Sequence, residues 1–564
     1  MYILGINSVY HESSACLLKD GAIIAAVEEE RFTRKKHAKS ARVDNTDELP
    51  MSAIYYCLDK AGIELAEVDR IGFSFNPRKR LRNKEFKDTV DENSWGSVSG
   101  EDEAFVRLNR VPEKLREKGF SGEFKWIDHH LCHAASGFYP SPFDEAAVLT
   151  VDGIGEVSST SFAHGKKNKL KIIGEILYPA SLGFLWEKIA KYLGFTEYDS
   201  CKTMGLAGYG DPETYLKHFY EMVRIVPEGR FELDNNILRF RAEDFSGLER
   251  LFGVRRRERD QELTQAHKDI AASLQEVTNG VMMHMVNYIH EQTGSENLCM
   301  AGGVALNCVS NRLLHEQGPF ANLYIQPAAH DAGTAIGAAM VVWNFILGND
   351  YRETMTHAYF GPSFTDEEIE TALKNRRVNY QRVEDIERKV AQLLSQMHIV
   401  GWFQGAMEVG PRALGNRSLL ADPRFPQMRE IMNKKIKHRE MFQPFAPSVL
   451  YEQADKWFEI TKPTQASDFM LITYPTKNGA DGRIPAVTHI DQTCRIQTVR
   501  KETNSKYHKL ISEFFSLTGV PLVLNTSFND SEPIVCSPAD AVNTFLKTGM
   551  DYLAIGNFLV GRTR

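Results

Sequence analysis

Two histidines at helical spacing are the first residues that could do chemistry. His129 and His133 lie four positions apart in the run Asp128–Ala135, so a helix there would put both imidazoles on one face, where they could share a metal ion. Asp152 and Asp331 each follow a predicted strand, and strand ends are where open α/β sheets bind ligands. Two imidazoles and two carboxylates suit iron(II), manganese(II) or zinc(II). The alternative is that the histidines cap the helix or fill the core, and a zincin is disfavoured because no glutamate follows His129.

A set of cationic and small polar residues in the second half of the chain could bind phosphate. Gly410–Ser418 presents Arg412 and Arg417 from a loop framed by glycine and proline. An anion with three oxygens needs many convergent donors, which arginine, lysine, hydroxyl and amide side chains supply together. Further candidates are the run Lys434–Glu440, which includes Lys437, then Arg495, and finally Asn525–Asn529, which includes Asn525 and Ser527. The alternative interpretation of the lysine run is a solvated basic surface.

A glycine-containing turn is a weaker signal. Gly302 and Gly303 follow the apolar run Leu298–Met300 and precede a predicted helix. Paired glycines let the backbone approach phosphate or ribose, and the start of a helix favours an anion. A tight turn between strand and helix without any ligand explains the pattern equally well.

The elements around these residues alternate between strands and helices, which predicts mixed α/β domains. A strand followed by a hairpin occurs twice, and we interpret the two copies as an internal duplication, although two unrelated hairpins would give the same pattern. The predicted strands of the copies are Tyr2–Ile6, Ser14–Leu18 and Ala22–Val27, then Ala147–Val151, Ser158–Ala163 and Leu170–Ile176. Helical periodicity is found at Pro50–Ala61, Leu131–Phe138 and Ala266–Glu291.

Turn residues near position 350 predict a domain boundary. We expect a first domain at 1–350, a linker at 351–365 and a second α/β domain at 366–564. The second domain is expected to contain a helix at Asp366–Lys374 and strands at Ile399–Gln404 and Val520–Leu524. Residues 76–110 are polar and contain glycine, so we interpret them as a surface loop that works as a lid over a substrate, although a solvated loop without that role explains the composition equally well.

Composition excludes several classes of protein. The chain has 564 residues, 43% hydrophobic and 25% charged, which excludes global disorder. Its net charge of −7 disfavours a nucleic-acid partner and favours small molecules. The longest apolar run, near Ala338–Leu347, is too short to span a membrane. Its 8 cysteines form no C-x-x-C pair, which predicts reduced thiols. Because no basic segment precedes the first predicted strand, we expect no secretion signal, and both observations predict a cytoplasmic location.

Six motifs in order give the chain a resemblance to a known family over essentially its whole length. It resembles the NodU/CmcH-type O-carbamoyltransferases. The motifs are Glu28–His37, His129–Ala135, Gly302–Asn307, Gly410–Arg417, Lys437–Glu440 and Asn525–Asn529.

The resemblance implies a fold and a reaction. The fold would be a TsaD/Kae-like domain of the ASKHA class, actin-like and duplicated, followed by a YrdC-like α/β domain. The second domain would convert carbamoyl phosphate and ATP, with Mg²⁺, to carbamoyladenylate. The first domain, holding iron, would then transfer the carbamoyl group to a hydroxyl of a small acceptor, such as a secondary metabolite.

The resemblance also implies roles for individual residues, position by position. His11 would be the base that activates the acceptor. The metal ligands would be His129, His133, Asp152 and Asp331; carbamoyladenylate would be held by Lys36, Gly302, Gly303 and Asn307; and carbamoyl phosphate by Arg412, Lys437, Arg495, Asn525 and Ser527. Gln443 stands where the family often has arginine, so one phosphate contact differs, and Lys435 is a candidate to replace it.

Two competing functions remain open at this point. A tRNA threonylcarbamoyladenosine enzyme would use related modules, but it predicts a basic tRNA-binding surface. A non-enzymatic actin-like module that senses nucleotide would need neither the metal ligands nor the cationic set. The sequence leaves open the acceptor, the native metal and the oligomeric state.

Overall fold

The structure is a computed structural model that describes residues 1–82 and 90–562. It divides into two compact units. Unit 1 comprises Met1–Glu29 and His37–Met355, and unit 2 comprises Glu30–Lys36 and Thr356–Arg564. Residues 351–355 of the predicted linker therefore belong to unit 1 and residues 356–365 to unit 2.

The first sheet of unit 1 combines an antiparallel meander with two parallel strands. Its strands are β1 (Tyr2–Asn7), β2 (Ser14–Lys19), β3 (Ala22–Glu28), β4 (Arg70–Phe73) and β5 (Glu123–Trp126). They lie in the order β3-β2-β1-β4-β5. β1 pairs antiparallel with β2 and parallel with β4, and it is buried almost throughout. The carboxyl end of β1 therefore leads into a loop at the edge where parallel strands also end.

The second sheet of unit 1 repeats this arrangement. Its strands are β6 (Glu145–Val151), β7 (Ser158–Lys166), β8 (Lys169–Leu177), β11 (Asn297–Ala301) and β12 (Asn322–Ile325). The order is β12-β11-β6-β7-β8, with β6, β7 and β8 antiparallel and β6, β11 and β12 parallel. A small separate hairpin is formed by β9 (Val223–Val226) and β10 (Arg230–Leu233). The repeated hairpin in the sequence is thus matched by two sheets with the same strand order.

Helices pack closely against these sheets. One of them, α14 (Gly333–Met340), approaches its neighbours so closely that glycine is required. A Cβ on Gly5 of β1 would lie 1.8 Å from the Ala335 carbonyl oxygen, and a Cβ on Gly337 would lie 1.8 Å from that of Cys132 in α6 (His129–Phe138). The helices of unit 1 are α2 (Met51–Ala61), α3 (Pro77–Arg82), α4 (Val98–Leu108), α5 (Val111–Glu117), α6 (His129–Phe138), α7 (Leu182–Tyr192), α8 (Ser200–Ala207), α9 (Leu216–Met222), α10 (Asn235–Leu238), α11 (Ser246–Phe252), α12 (Gln265–Thr293), α13 (Cys308–Gln317) and α14 (Gly333–Met340).

The loop interpretation of residues 76–110 is wrong for much of the segment. α3 and α4 lie within it. α4 is stabilised at its start by Ser97, which accepts a hydrogen bond from the Gly100 amide at 3.0 Å, and Ala104 and Leu108, four residues apart, bury one face of the helix. Glu101 is held by an ion pair to the buried Arg80. Residues 83–89 lie outside the described part of the chain, and the proposed role as an acceptor lid stays a prediction.

Unit 2 is built around one mixed sheet of eight strands. In spatial order these are β13 (Tyr380–Arg382), β22 (Phe558–Gly561), β21 (Tyr552–Ile555), β14 (Val400–Phe403), β15 (Arg417–Ala421), β20 (Leu522–Ser527), β16 (Ala446–Leu450) and β19 (Gln497–Val499). β17 (Tyr474–Pro475) and β18 (Thr493–Cys494) form a separate pair. The helices are α1 (Glu30–Thr33), α15 (Asp366–Asn375), α16 (Ile386–Ser395), α17 (Gln427–Ile431), α18 (Ala454–Trp457), α19 (Ser505–Thr518) and α20 (Pro538–Lys547). Among the described residues, no helix is both long and apolar enough to cross a membrane.

Candidate functional site

The helix α6 carries the two histidines of the metal cluster. Its first amide, that of His129, donates to Glu156 Oε1 at 2.9 Å, and the Asn76 amide donates to the same oxygen at 2.7 Å. Because the buried Glu156 accepts from these two amides, it fixes where the helix begins. One turn later His133 faces His129, with 3.1 Å between their Nε2 atoms.

Two carboxylates from the second sheet complete the cluster. Asp152 follows β6, and Asp331 follows β12 just before α14. Asp331 Oδ1 lies 3.4 Å from His129 Nε2 and 3.5 Å from His133 Nε2, and Asp152 Oδ2 lies 3.7 and 3.8 Å from the same atoms. All four side chains are buried. Four donors bound about 2.1 Å from one tetrahedral ion would be roughly 3.4 Å apart, so the observed spacing fits a metal ion.

Neighbouring backbone groups orient these ligands. His129 Nδ1 lies 3.1 Å from the Ser74 carbonyl oxygen, so an Nδ1–H donates there and Nε2 keeps its lone pair for a cation. Asp152 Oδ1 accepts from the Gly303 amide at 2.8 Å, which leaves Oδ2 facing the histidines. Gly302 has a φ of 91°, and a Cβ there would lie 2.3 Å from the Val151 carbonyl oxygen. The glycine turn therefore supports the carboxylate of Asp152.

The electrostatics of the cluster favour a bound positive charge. Burial alone would lower the pKa of His129, but the carboxylates of Asp331 and Asp152 raise it well above its ordinary value. Burial likewise opposes ionisation of Asp331, yet the contact with His129 holds the pKa of that carboxyl well below its ordinary value. A proton or a metal cation would satisfy the same two carboxylates, so the donor set fits a divalent metal.

His11 lies in the loop after β1, beside this cluster. Its charge contributes to the low pKa of Asp331, and its ring meets Tyr198 edge-on, with 5.7 Å between the ring centroids. The next residue, Glu12, has a φ of 56° and is fixed by His37: Glu12 Oε1 lies 2.6 Å from His37 Nδ1, and the Glu12 amide donates to the His37 carbonyl oxygen at 3.0 Å. The loop that carries His11 is thus held in a left-handed turn.

The four residues expected to hold carbamoyladenylate are divided between the units. Gly302, Gly303 and Asn307 belong to unit 1, whereas Lys36 is exposed and belongs to unit 2. Asn307 also has a structural role: its Oδ1 accepts from the Ser310 amide at 3.1 Å at the start of α13, and its Nδ2 donates to Gln275 at 3.1 Å.

In unit 2, Lys437 is the centre of a buried polar cluster. Its Nζ lies within hydrogen-bond distance of four oxygens: the carbonyl oxygen and Oγ of Ser527, at 2.7 and 3.1 Å, and the carbonyl oxygen and Oδ1 of Asn529, at 3.0 and 2.6 Å. These oxygens share the hydrogens of one amino group. Burial first, and then the charges of Arg439 and Lys36, hold the pKa of Lys437 well below its ordinary value. An anion placed nearby would relieve this repulsion among cations.

The loop that carries Arg412 is organised from within. Glu408 Oε1 accepts from the amides of Leu414 and Asn416, both at 2.8 Å. Asn525 Nδ2 donates to the carbonyl oxygen of Ala413, next to the half-buried Arg412, at 3.1 Å. Asn525 therefore supports the loop.

The second arginine of this loop, Arg417, is fully buried and holds backbone carbonyls. It donates to Gln404 at 2.6 Å and to Pro362 at 2.8 Å. These contacts make it a scaffold residue of unit 2.

Arg495 and Gln443 lie near this framework. Arg495 follows β18 and is half-buried, and within the described structure its Nε has no hydrogen-bond partner. Gln497, two residues on, donates to the Leu414 carbonyl oxygen at 2.8 Å, which ties the Arg495 segment to the Arg412 loop. Gln443 is buried and donates to Glu440, whereas Lys435 is exposed.

Sequence reasoning missed three supporting carboxylates, Glu12, Glu156 and Glu408. Glu12 follows His11 directly, and Glu156 follows the glycine-containing turn after Asp152. Their positions next to candidate residues were the available signal, but only the tertiary structure shows that Glu12 pairs with His37 and that Glu156 and Glu408 accept from backbone amides.

Comparison with known proteins decides the family. Residues 2–340 match the family model described as Carbamoyltransferase N-terminus, and residues 391–562 match Carbamoyltransferase C-terminus. The chain belongs to the carbamoyltransferase family. This carbamoyltransferase is therefore an enzyme that transfers carbamoyl groups, and the resemblance read from the six motifs is confirmed.

Its relatives are similar over most of their length. The carbamoyltransferase is 42% identical to the uncharacterized protein sll1178 of Synechocystis sp., over 100% of this chain and 97% of that protein. It is 37% identical to nodulation protein NolNO of Sinorhizobium fredii, over 98% of this chain and 79% of that protein. Among solved structures, T. kodakarensis HypF aligns at a TM-score of 0.33 and 12% identity, over 62% of this chain and 48% of that one. That likeness is too low to carry an argument.

Proposed function

We propose that this carbamoyltransferase is an ATP-dependent O-carbamoyltransferase with two half-reactions. In the first, carbamoyl phosphate, water and ATP give carbamoyladenylate, phosphate and pyrophosphate. In the second, an acceptor hydroxyl attacks the carbamoyl carbon, AMP leaves, and the hydroxyl proton is taken up. The observation that carries the proposal is that one carbamoyltransferase chain holds both a buried His/Asp cluster, in unit 1, and the buried polar cluster around Lys437, in unit 2.

We assign the first half-reaction to unit 2. Arg412, Lys437 and Arg495 supply cationic donors, and Ser527 adds a hydroxyl. Lys437 bridges Ser527 and Asn529, so contacts within the protein organise this part of the site. Preorganised donors stabilise negative charge better than donors that must first be collected. We propose that these residues bind the phosphate of carbamoyl phosphate, with Mg²⁺ accompanying ATP.

We assign the second half-reaction to unit 1. His129, His133, Asp152 and Asp331 would hold a divalent metal, with iron(II) the first choice and manganese(II) or zinc(II) alternatives. Such an ion, when bound, would polarise a carbonyl oxygen as a Lewis acid.

His11 and the glycine turn complete this site. The imidazole of His11 would take the acceptor's proton, and the Glu12–His37 pair holds its loop in place. Gly302 and Gly303 let backbone amides approach carbamoyladenylate, with Asn307 as a further proposed contact within unit 1, and the role of Lys36 in unit 2 stays a prediction. We propose a TsaD/Kae-like, actin-like fold for unit 1 and a YrdC-like fold for unit 2.

The competing functions are weaker. Membership of an enzyme family argues against a non-enzymatic nucleotide sensor. The net charge of −7 disfavours a tRNA acceptor, so we propose a small hydroxylated molecule, of the secondary-metabolite class, as acceptor. The cytoplasmic location stays a prediction.

The proposal is tested by measuring pyrophosphate release from ATP without any acceptor. We expect release to require carbamoyl phosphate. Arg412→Ala should raise the KM for carbamoyl phosphate about ten- to a hundredfold, because a charge-assisted contact is lost. Lys434→Ala, which removes an exposed lysine paired with Glu430, is the matched control and should leave KM unchanged. Release that does not depend on carbamoyl phosphate would refute the proposal.

A further inference from the structure

The segment Glu30–Lys36, here named the strap, is part of unit 2 although it lies in sequence between two stretches of unit 1. Its helical turn, α1, is too short to be stable alone. It is anchored by Phe32, which packs against a buried cluster of Met407, Ile534 and Cys536. The strap is therefore held in place by its contacts with unit 2.

Arg31 of the strap holds the start of the loop that carries Arg412. Arg31 is only 3% exposed, and its Nη2 donates to the Gly410 carbonyl oxygen at 2.9 Å, while its Nη1 lies 2.8 Å from Glu30 Oε1. Gly410 has a φ of 103°, a conformation that glycine adopts without strain. Glycine also reaches other backbone conformations easily. The hydrogen bond from Arg31 fixes this peptide two residues before Arg412.

Arg34 of the strap holds a second loop. Its Nη1 donates to the Ile534 carbonyl oxygen at 2.7 Å and its Nη2 to that of Pro533 at 2.5 Å. The preceding residue, Glu532, accepts from Asn529 Nδ2 at 2.7 Å through its carbonyl oxygen. Asn529 in turn accepts from Lys437. Arg34 is thus connected to the Lys437 cluster through one short stretch of backbone.

Both ends of the strap are also fixed. The Glu29 amide donates to the Ser13 carbonyl oxygen at 2.8 Å, and the His37 carbonyl oxygen accepts from the Glu12 amide at 3.0 Å. These are contacts within unit 1, at the residues where the chain leaves that unit and returns to it.

We propose that Arg31 and Arg34 are positioning residues that hold two loops, the one from Gly410 to Arg412 and the one from Asn529 to Ile534, ready for carbamoyl phosphate. Neither is assigned a contact with the ligand; each acts through backbone carbonyls. A loop that is already ordered loses less conformational freedom when it binds an anion, so loss of the strap contacts should weaken binding rather than slow the chemical step. The identity of the ligand rests on the proposed function, but the holding of the two loops does not.

The test uses the full chain with Arg31→Ala, Arg34→Ala and Arg31→Lys, and with Lys35→Ala as the matched control, because Lys35 is an exposed cation on the same strap. Pyrophosphate release gives kcat and the KM values for carbamoyl phosphate and ATP. Amide hydrogen exchange is followed in peptides covering residues 405–418 and 528–540. Thermal unfolding reports overall stability.

We expect each alanine variant to raise the KM for carbamoyl phosphate about tenfold, with kcat and the KM for ATP within about twofold of wild type. Exchange should accelerate in the two loops and not in the rest of unit 2. Arg31→Lys keeps a donor for the Gly410 carbonyl oxygen and should recover part of the shift. Lys35→Ala should behave as wild type.

Unchanged exchange in both loops would overturn the proposal. So would faster exchange throughout unit 2 together with a lower unfolding midpoint, since that pattern marks general destabilisation. If Arg31→Ala fails to fold, Arg34→Ala, whose side chain is partly exposed, decides the question. If the wild type shows no carbamoyl phosphate-dependent release, the proposed function fails, and the exchange data alone decide whether the strap holds the loops.

Discussion

The most specific prediction for unit 1 concerns two histidines of α6, His130 and His133. His133→Ala should abolish tight binding of a divalent metal, whereas His130→Ala should retain it. The two histidines are a matched pair, because both are buried in the same helix at 0% and 1% exposure. Only His133 has its Nε2 within 3.5 Å of Asp331 Oδ1 and 3.1 Å of His129 Nε2. The His130 ring centroid lies 6.1 Å from that of His133.

The size of the effect follows from the donor set. His133 is one of four donor side chains in the cluster, so its loss leaves three. Removing a mere supporting contact of a metal ligand typically costs about ten- to a hundredfold in affinity. Loss of a ligand should therefore cost at least about a hundredfold, which is roughly 2.7 kcal/mol. His130→Ala should change metal affinity by less than about threefold.

The assay is competition for iron(II), manganese(II) and zinc(II) against a chromophoric chelator, followed by separate measurement of the two half-reactions. We expect His133→Ala to lose carbamoyl transfer while pyrophosphate release continues in unit 2. Circular dichroism and the unfolding midpoint show whether both variants are folded. Equal metal loss in the two variants, or unchanged metal affinity in His133→Ala, would refute the assignment of the cluster.

Three further predictions test other parts of unit 1. Burial, and then the charge of the nearby Asp152, raise the pKa of Glu187 to about 8, against an ordinary value of 4.5. In metal-free protein, the contribution of Glu187 to stability is therefore present below pH 4.5 and lost as pH rises towards 8. Glu187→Gln should raise the unfolding midpoint at pH 8 and leave it unchanged at pH 4. Gly302→Ala should lower the free energy of unfolding in urea by at least about 2 kcal/mol, because its Cβ would meet the Val151 carbonyl oxygen at a φ that alanine disfavours; a smaller loss would contradict the close approach. His11→Ala should slow acceptor carbamoylation about a hundredfold or more and leave pyrophosphate release within about twofold, and equal loss of both would argue against its role as base.

Local patterns in the sequence predicted much of the fold. The two hairpins were correct because short apolar strands separated by glycine-containing turns carry their own signal, and they correspond to β1–β3 and β6–β8. The same holds for α6, whose histidine spacing predicted that His129 and His133 would share a face. The helix predicted at Asp366–Lys374 is present as α15.

Features that depend on tertiary contacts were not predictable. The motif Glu28–His37 is one of the six that carry the resemblance to the family, but nothing in its residues shows that Glu30–Lys36 belongs to unit 2. α4 was interpreted as loop because its polar face dominates its composition, although Ala104 and Leu108 bury the other face.

In the candidate sites, too, local sequence signals pointed to some residues, whereas tertiary contacts decide what other residues do. Residue types identified Asp152 and Asp331, since carboxylates at strand ends are a local signal. Asn307 and Asn525 were expected to bind ligands, and the structure shows that both amides also make scaffold hydrogen bonds. Short polar side chains serve either role, and only their neighbours distinguish the two.

Carbamoyladenylate is proposed to connect the reaction of unit 2 with that of unit 1. This connection is tested most directly by supplying the full chain with carbamoyl phosphate labelled with ¹³C at its carbonyl carbon, together with ATP and Mg²⁺ but no acceptor, and analysing the quenched mixture by mass spectrometry. We expect a nucleotide that carries the ¹³C carbamoyl group on AMP, formed together with pyrophosphate. Formation of ADP without AMP or pyrophosphate, and with no label on any nucleotide, would contradict it.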